Sequence, residues 1–164
     1  MPPTCYYWLM GKDSEALLIA WVQFFQRRPA YFVTLTFNWG SVPSKVRAVA
    51  SLREFSRRLD EVRLGSRFYE FPARYRTPFL LVPEKEVCAS LHYHGLIGEP
   101  DDGRSRAIPE SYPDLVGRCW RAAVPSGTAD VQPLVSVGAL AYSTKETRLT
   151  SDDVVCAHDF WRRG

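Results

Sequence analysis

The sequence predicts an α+β domain in which helices pack on an antiparallel sheet. Three observations carry this prediction: an alternating, β-branched and aromatic run at Tyr31–Phe37, a helical stripe of apolar residues from Val46 to Val62, and two short apolar runs close enough to pair as a hairpin, Phe79–Val82 and Leu91–Gly98. At 164 residues, with 46% hydrophobic and 24% charged content, the chain fits a single domain over 1–164 with a core of its own.

Taken in order, Asp13 or Ser14 can cap a first helix with Leu17, Leu18, Trp21, Phe24 and Phe25 at helical spacing, ending near Pro29. Tyr31–Phe37 is the first strand. Ser41 as cap and Pro43 at the first helical position then open a long helix. Its inner stripe is Val46, Val49, Leu52, Phe55, Leu59 and Val62, and Gly65 stops it. The aromatic and basic stretch Ser66–Thr77 receives no assignment. A strand from Phe79 runs on to Glu84 despite Pro83, whose missing N–H suits an edge or a bulge. A turn near Val87–Ala89 leads into the partner strand Leu91–Gly98. Tyr112–Val124 reads as a second packing helix with Leu115, Val116, Cys119 and Trp120 inward, followed by a strand at Ala129–Leu134. A last helix is expected from about Ser136 to Thr147, with a looser tail. Without the outermost helices the order is βαββαβ, the pattern of a ferredoxin-like or RRM-like sheet.

The net charge of +3 and pI of about 8.7 permit a nucleic-acid partner without requiring one. The distribution is more informative. Ser41–Leu80 holds nine Lys/Arg against four acids, whereas Leu81–Leu115 holds three against seven. A phosphate-tracking surface made by Arg53, Arg57, Arg58, Arg74 and Arg76, beside a cation site, fits that division. The four cysteines show no CxxC pair and no disulfide spacing, so they read as the reduced thiols of a cytoplasmic protein. No signal-peptide pattern opens the chain and no apolar run is long enough to span a bilayer, so no membrane role is expected.

His92 and His94 stand two apart on a predicted strand, so both imidazoles leave the same face, and Tyr93 the other. Two neutral imidazoles and one carboxylate can hold a divalent cation. The facing strand offers Glu84 and Glu86 as the third ligand. Tyr142 and Lys145, three apart on the predicted last helix, share a face. A phenol is a weak nucleophile at its free pKa near 10, and a neighbouring ammonium with a metal-polarised phosphate makes its attack feasible.

Three segments in order resemble the HUH endonucleases, specifically single-tyrosine rolling-circle replication initiators of the Rep type. Phe32–Phe37 resembles the first Rep motif, Leu91–Ile97 the histidine-hydrophobe-histidine motif, and Ala141–Lys145 the Y-x-x-K motif that carries the nucleophile. Asp130–Leu134 resembles the strand that leads to that helix. The resemblance implies a Mg²⁺ or Mn²⁺ ion on His92, His94 and a glutamate, Glu84 being favoured over Glu86. It implies attack by Tyr142 on single-stranded or stem-loop origin DNA, giving a 5′-phosphotyrosine and a free 3′-OH, with Lys145 at the phosphate. Rejoining would be the reverse step. Host polymerase and helicase are the implied partners, in a bacterial plasmid or phage context or, for a eukaryotic virus, in the host nucleus. No Walker GxxxxGK[ST] is present, so no fused helicase is expected. Relaxases use three clustered histidines, and small HUH transposases carry Gln where Lys145 stands, so both fit less well. The competing class is a non-catalytic RRM-like module stacking bases on Tyr31, Phe37 and Phe79.

Overall fold

The computed structural model describes residues 23–25, 27–38, 43–85, 91–100, 103–134 and 154–161. Among these residues five strands, β1 (Ala30–Thr36), β2 (Phe79–Lys85), β3 (Leu91–Gly98), β4 (Thr128–Pro133) and β5 (Val155–Cys156), form one sheet. The order is β4-β1-β3-β2-β5 and every pairing is antiparallel. Two helices, α1 (Lys45–Leu64) and α2 (Tyr112–Ala123), cover one face of the sheet. β3, which carries both histidines, is the middle strand.

The alternation in β1 sorts the two faces. Val33, Leu35 and Phe37 are fully buried with Phe55 and Leu59 of α1 and Leu115 and Trp120 of α2. Trp120 meets both Phe37 and Phe55 edge-on, at centroid distances of 5.2 and 5.6 Å. Tyr93, which leaves β3 on this side, is 3% exposed and meets Phe37 edge-on. Tyr112 closes one end of the layer, its hydroxyl donating to the Gly98 carbonyl at 2.9 Å, and burial raises that phenol far above its ordinary pKa. Burial likewise pushes the Cys119 thiol up to about 11, in keeping with a reduced core cysteine.

α1 departs from the expected start. Its cap is Ser44, in extended conformation, whose Oγ accepts from the Arg47 N–H at 3.3 Å. Pro43 is buried ahead of that cap rather than opening the first turn, because Ser44 supplies the hydroxyl cap after the proline. Val46 is 81% exposed and falls outside the inner stripe, which begins at Ala48 and continues through Leu52, Phe55 and Leu59. Six residues before Leu52, Val46 is rotated about 120° from that stripe at 100° per residue. Gly65 ends the helix as expected, at φ 91°, with its N–H bonded to the Glu61 carbonyl.

Ser66–Thr77 forms two short 3₁₀ turns, Phe68–Glu70 and Ala73–Tyr75. The expected looser tail instead contributes β5, pairing Cys156 with Leu80 and Val155 with Leu81, then a 3₁₀ turn at Ala157–Phe160. Among the described residues β5 pairs with Leu80 and Leu81 of β2, and Pro83 lies within β2 opposite Tyr93. Of the expected first helix, residues 23–25 are helical. The turn at Val87–Ala89 and the last helix at Ser136–Thr147 lie outside the described residues. Among the described residues no helix is long and apolar enough to cross a membrane.

Candidate metal and nucleic-acid site

The face of the sheet opposite the two helices is built in cross-strand rows. Opposed residues in a sheet share a face, so the register fixes each row. One row runs Thr128, Thr36, His92, Glu84, and the next Asp130, Thr34, His94, Val82. A third runs Gln132, Phe32, Leu96, Leu80, Cys156. Phe25, Leu80, Leu96 and Cys156 form a small apolar cluster, with Phe24, Phe32 and Leu134 against it. The face is therefore apolar at one end and polar at the other, where both histidines stand.

His94 is held on three sides. Its Nε2–H donates to Glu84 Oε2 at 2.7 Å, its Nδ1 shares a 2.9 Å hydrogen bond with Thr34 Oγ1, and the Phe32 ring stacks at 6.1 Å between centroids. Glu84 lies opposite His92 in the register, yet its carboxylate reaches diagonally to His94. The carboxylate is 46% exposed and the imidazole 20%, so the pair opens to solvent on one side. β2 and β3 also approach closely here: a Cβ on Gly95 would meet the Leu80 carbonyl oxygen at 1.9 Å. Glycine next to His94 thus keeps the Glu84 strand against the histidine strand.

The donor set fits a divalent cation in part. His94 Nε2 and Glu84 Oε2, an imidazole nitrogen and a carboxylate oxygen, stand 2.7 Å apart at hydrogen-bond distance on a solvent-facing surface, and to share an ion they would give up the proton between them and part slightly. The His92 and His94 centroids stand 6.1 Å apart. With each ring nitrogen about 2 Å from a shared ion, roughly 6 Å is the outer limit for two rings on it. The three side chains do not close as a cluster in this arrangement, and among the described residues no group of three or more His, Cys, Asp or Glu side chains does so.

Thr34, Thr36 and Asp130 on this face were not singled out from the sequence. The signal was present: between Val33, Leu35 and Phe37, which alternate into the core, the two threonines occupy the positions that must face the other way. The Thr34 hydroxyl holds the His94 ring through its Nδ1. Thr36 Oγ1 bonds to Thr128 Oγ1 at 2.7 Å, tying β1 to β4 beside the histidines.

The expected arginine surface divides. Arg57 is chelated by Glu54 and Glu61, and Arg58 by Glu54. Arg57 holds Glu54 below the usual carboxylate range, chiefly through their hydrogen bond. Arg53 lies over the Phe160 ring at 5.6 Å. These three stand on α1, across the sheet from the histidines. Arg76 is corrected outright: it is 6% exposed and its Nε bonds to the fully buried Asp60, so it is a core ion-pair member and no phosphate contact. Arg74 remains exposed. The aromatics proposed as a base-stacking platform are also unavailable. Phe37 and Phe79 are fully buried beneath the helices, and Tyr31 packs against Tyr112. Glu86, Tyr142 and Lys145 lie outside the described residues. No family model, curated protein or solved structure matches the chain.

Proposed function

We propose that the protein is a metal-dependent, single-tyrosine endonuclease of the HUH type that nicks and rejoins single-stranded DNA at a replication origin. The Glu84–His94 contact carries this reading, with His92 two residues along on the same solvent-facing surface of the middle strand. The strand order β4-β1-β3-β2 within the sheet supports a ferredoxin-like βαββαβ core, with β5 as an addition at its edge. Burial of Phe37 and Phe79 favours the nuclease over the base-stacking module.

In this reading His92, His94 and Glu84 hold Mg²⁺ or Mn²⁺, with Glu86 the alternative carboxylate. The bound cation supplies Lewis-acid polarisation of the scissile phosphate and offsets its charge. Thr34 fixes the His94 ring so that Nε2 faces the ligand side. Tyr142 loses its phenolic proton, its oxygen forms a bond to phosphorus, and the P–O3′ bond breaks in line. The departing 3′ oxygen takes up a proton, leaving a free 3′-OH and a 5′-phosphotyrosine. Lys145, three residues on, neutralises phosphate charge.

The test is a denaturing gel of the protein incubated with labelled single-stranded oligonucleotides and Mn²⁺. A covalent protein–DNA adduct is expected, absent in EDTA and reduced at least 1,000-fold (about 4 kcal/mol) in Tyr142→Phe. No adduct across a varied origin-like library, or an adduct undiminished in Tyr142→Phe, would overturn the assignment.

A further inference from the structure

A second surface, apart from the histidines, carries Arg74 and Arg104 beside Tyr75. Arg57, Arg58 and Arg118 are paired with glutamates on the surface, and Arg63 and Arg76 with Asp60 in the core. Arg74 has no carboxylate at ion-pair distance among the described residues. Its guanidinium instead lies 4.7 Å from the Tyr75 ring centroid, and that of Arg104, from the loop before α2, lies 5.3 Å from the same ring. Two exposed guanidiniums from separate segments thus converge on one tyrosine. They lower the Tyr75 pKa, first through the Arg74 hydrogen bond, so the phenol oxygen sits in a locally positive field. Phe71 meets Tyr75 edge-on at 6.3 Å, and Tyr69 on the preceding turn is 52% exposed. The Arg63–Asp60–Arg76 network fixes the base of this loop, because Arg63 Nη1 donates to the Tyr75 carbonyl at 3.3 Å.

We propose that Arg74, Tyr75 and Arg104 form a contact for single-stranded nucleic acid, taking a backbone phosphate on the two guanidiniums and a base against the arginine–tyrosine stack. Cationic groups interleaved with aromatic faces bind single strands through phosphate charge and stacking together, whatever the base sequence. A free anion would use the charges alone, and Tyr75 with its flanking aromatics would then contribute nothing. The contact stands before β2, along which the His94 row lies about 10 Å and the His92 row about 17 Å beyond Phe79. It would therefore hold nucleotides several positions from the scissile phosphate. It rests on the proposed function only for the identity of the strand as DNA.

The test is fluorescence anisotropy of labelled oligodeoxythymidylate with the full chain in EDTA, at several salt concentrations. Arg74→Ala/Arg104→Ala is expected to weaken binding at least about 10-fold and to reduce the slope of log K against log salt by roughly 0.7, the value for one lost phosphate contact on a single strand. Tyr75→Ser is expected to weaken it at least about fivefold with little change in slope. Arg57→Ala/Arg58→Ala, which removes guanidiniums already paired with glutamates, should stay within about twofold of wild type. The proposal fails if the Arg74/Arg104 variant binds within twofold of wild type, or if the Arg57/Arg58 variant loses as much. It also fails if Tyr75→Ser binds normally while inorganic polyphosphate competes as well as the oligonucleotide, which would mark a plain anion patch. Binding that depends on these residues without any Mn²⁺-dependent adduct would sink the nuclease reading alone, and an adduct with binding indifferent to them would sink this proposal alone.

Discussion

His94→Ala is expected to lower the rate of Mn²⁺-dependent nicking at least about 100-fold, equivalent to about 2.7 kcal/mol of transition-state stabilisation, while leaving the fold intact. The reasoning follows from which face each β3 residue occupies. His94 stands on the solvent-facing side, bonded to Glu84 and Thr34, and both partners can turn to water when the ring is removed. The stability change should stay near 1 kcal/mol. Tyr93→Ala, one residue away, should behave in the opposite way. Its side chain is buried against Phe37 under α1 and α2, and truncating a buried aromatic costs about 3–5 kcal/mol. Single-turnover cleavage with thermal melts of both variants separates the two outcomes. Loss of the fold in His94→Ala, or nicking at the wild-type rate, would contradict the assignment of faces or of roles.

Asp60→Ala is expected to destabilise the protein by about 3–5 kcal/mol, a large share of the roughly 5–15 kcal/mol typical of a domain. Asp60 is fully buried near the end of α1. Its Oδ2 accepts from Arg76 Nε, its Oδ1 accepts from the Thr77 N–H at 2.8 Å, and Arg63 Nη1 lies 3.6 Å from Oδ1. Arg63 in turn donates to Thr77 Oγ1 at 3.0 Å and to Ser105 Oγ at 2.8 Å. Truncation would strand two guanidiniums that are almost wholly inside the protein, and it would release both the Tyr75 loop and the Ser105 loop. Arg57→Ala, which breaks exposed pairs of similar appearance, should cost at most about 1 kcal/mol. Urea titration of both variants is the measurement. An Asp60→Ala change below about 1 kcal/mol would show that this network does not anchor α1.

Periodicity made the sheet and its two covering helices legible. Val33, Leu35 and Phe37 had to face one way, and Leu115, Val116, Cys119 and Trp120 had to line one side of a helix. A turn at Val87–Ala89 set Glu84 or Glu86 across from the histidines without separating the two; the β2–β3 register puts Glu84 opposite His92. The diagonal reach to His94 was not legible, since register fixes Cα partners and not rotamers. Arg76 misled because an arginine in an aromatic, proline-interrupted stretch reads as surface. The clue to its burial was Asp60, an acid one residue beyond Leu59 on the inner side of α1. β5 was invisible because two residues carry no period and its pairing with Leu80 and Leu81 spans more than seventy positions. The convergence of Arg74 and Arg104 on Tyr75 is likewise a product of tertiary folding that no local pattern encodes.

The most direct measurement exploits the chain's three histidines, His92, His94 and His158. His158 belongs to the turn at Ala157–Phe160, which packs against α1, and its ring lies 4.7 Å from Trp161. It serves as an internal control. Substoichiometric Mn²⁺ added to the protein, followed by NMR of the imidazole resonances, should broaden His92 and His94 first and together while His158 stays sharp, and Glu84→Gln should raise the Mn²⁺ required. Equal broadening of all three rings, or sharp His92 and His94 resonances at millimolar Mn²⁺, would contradict a metal centre on this face.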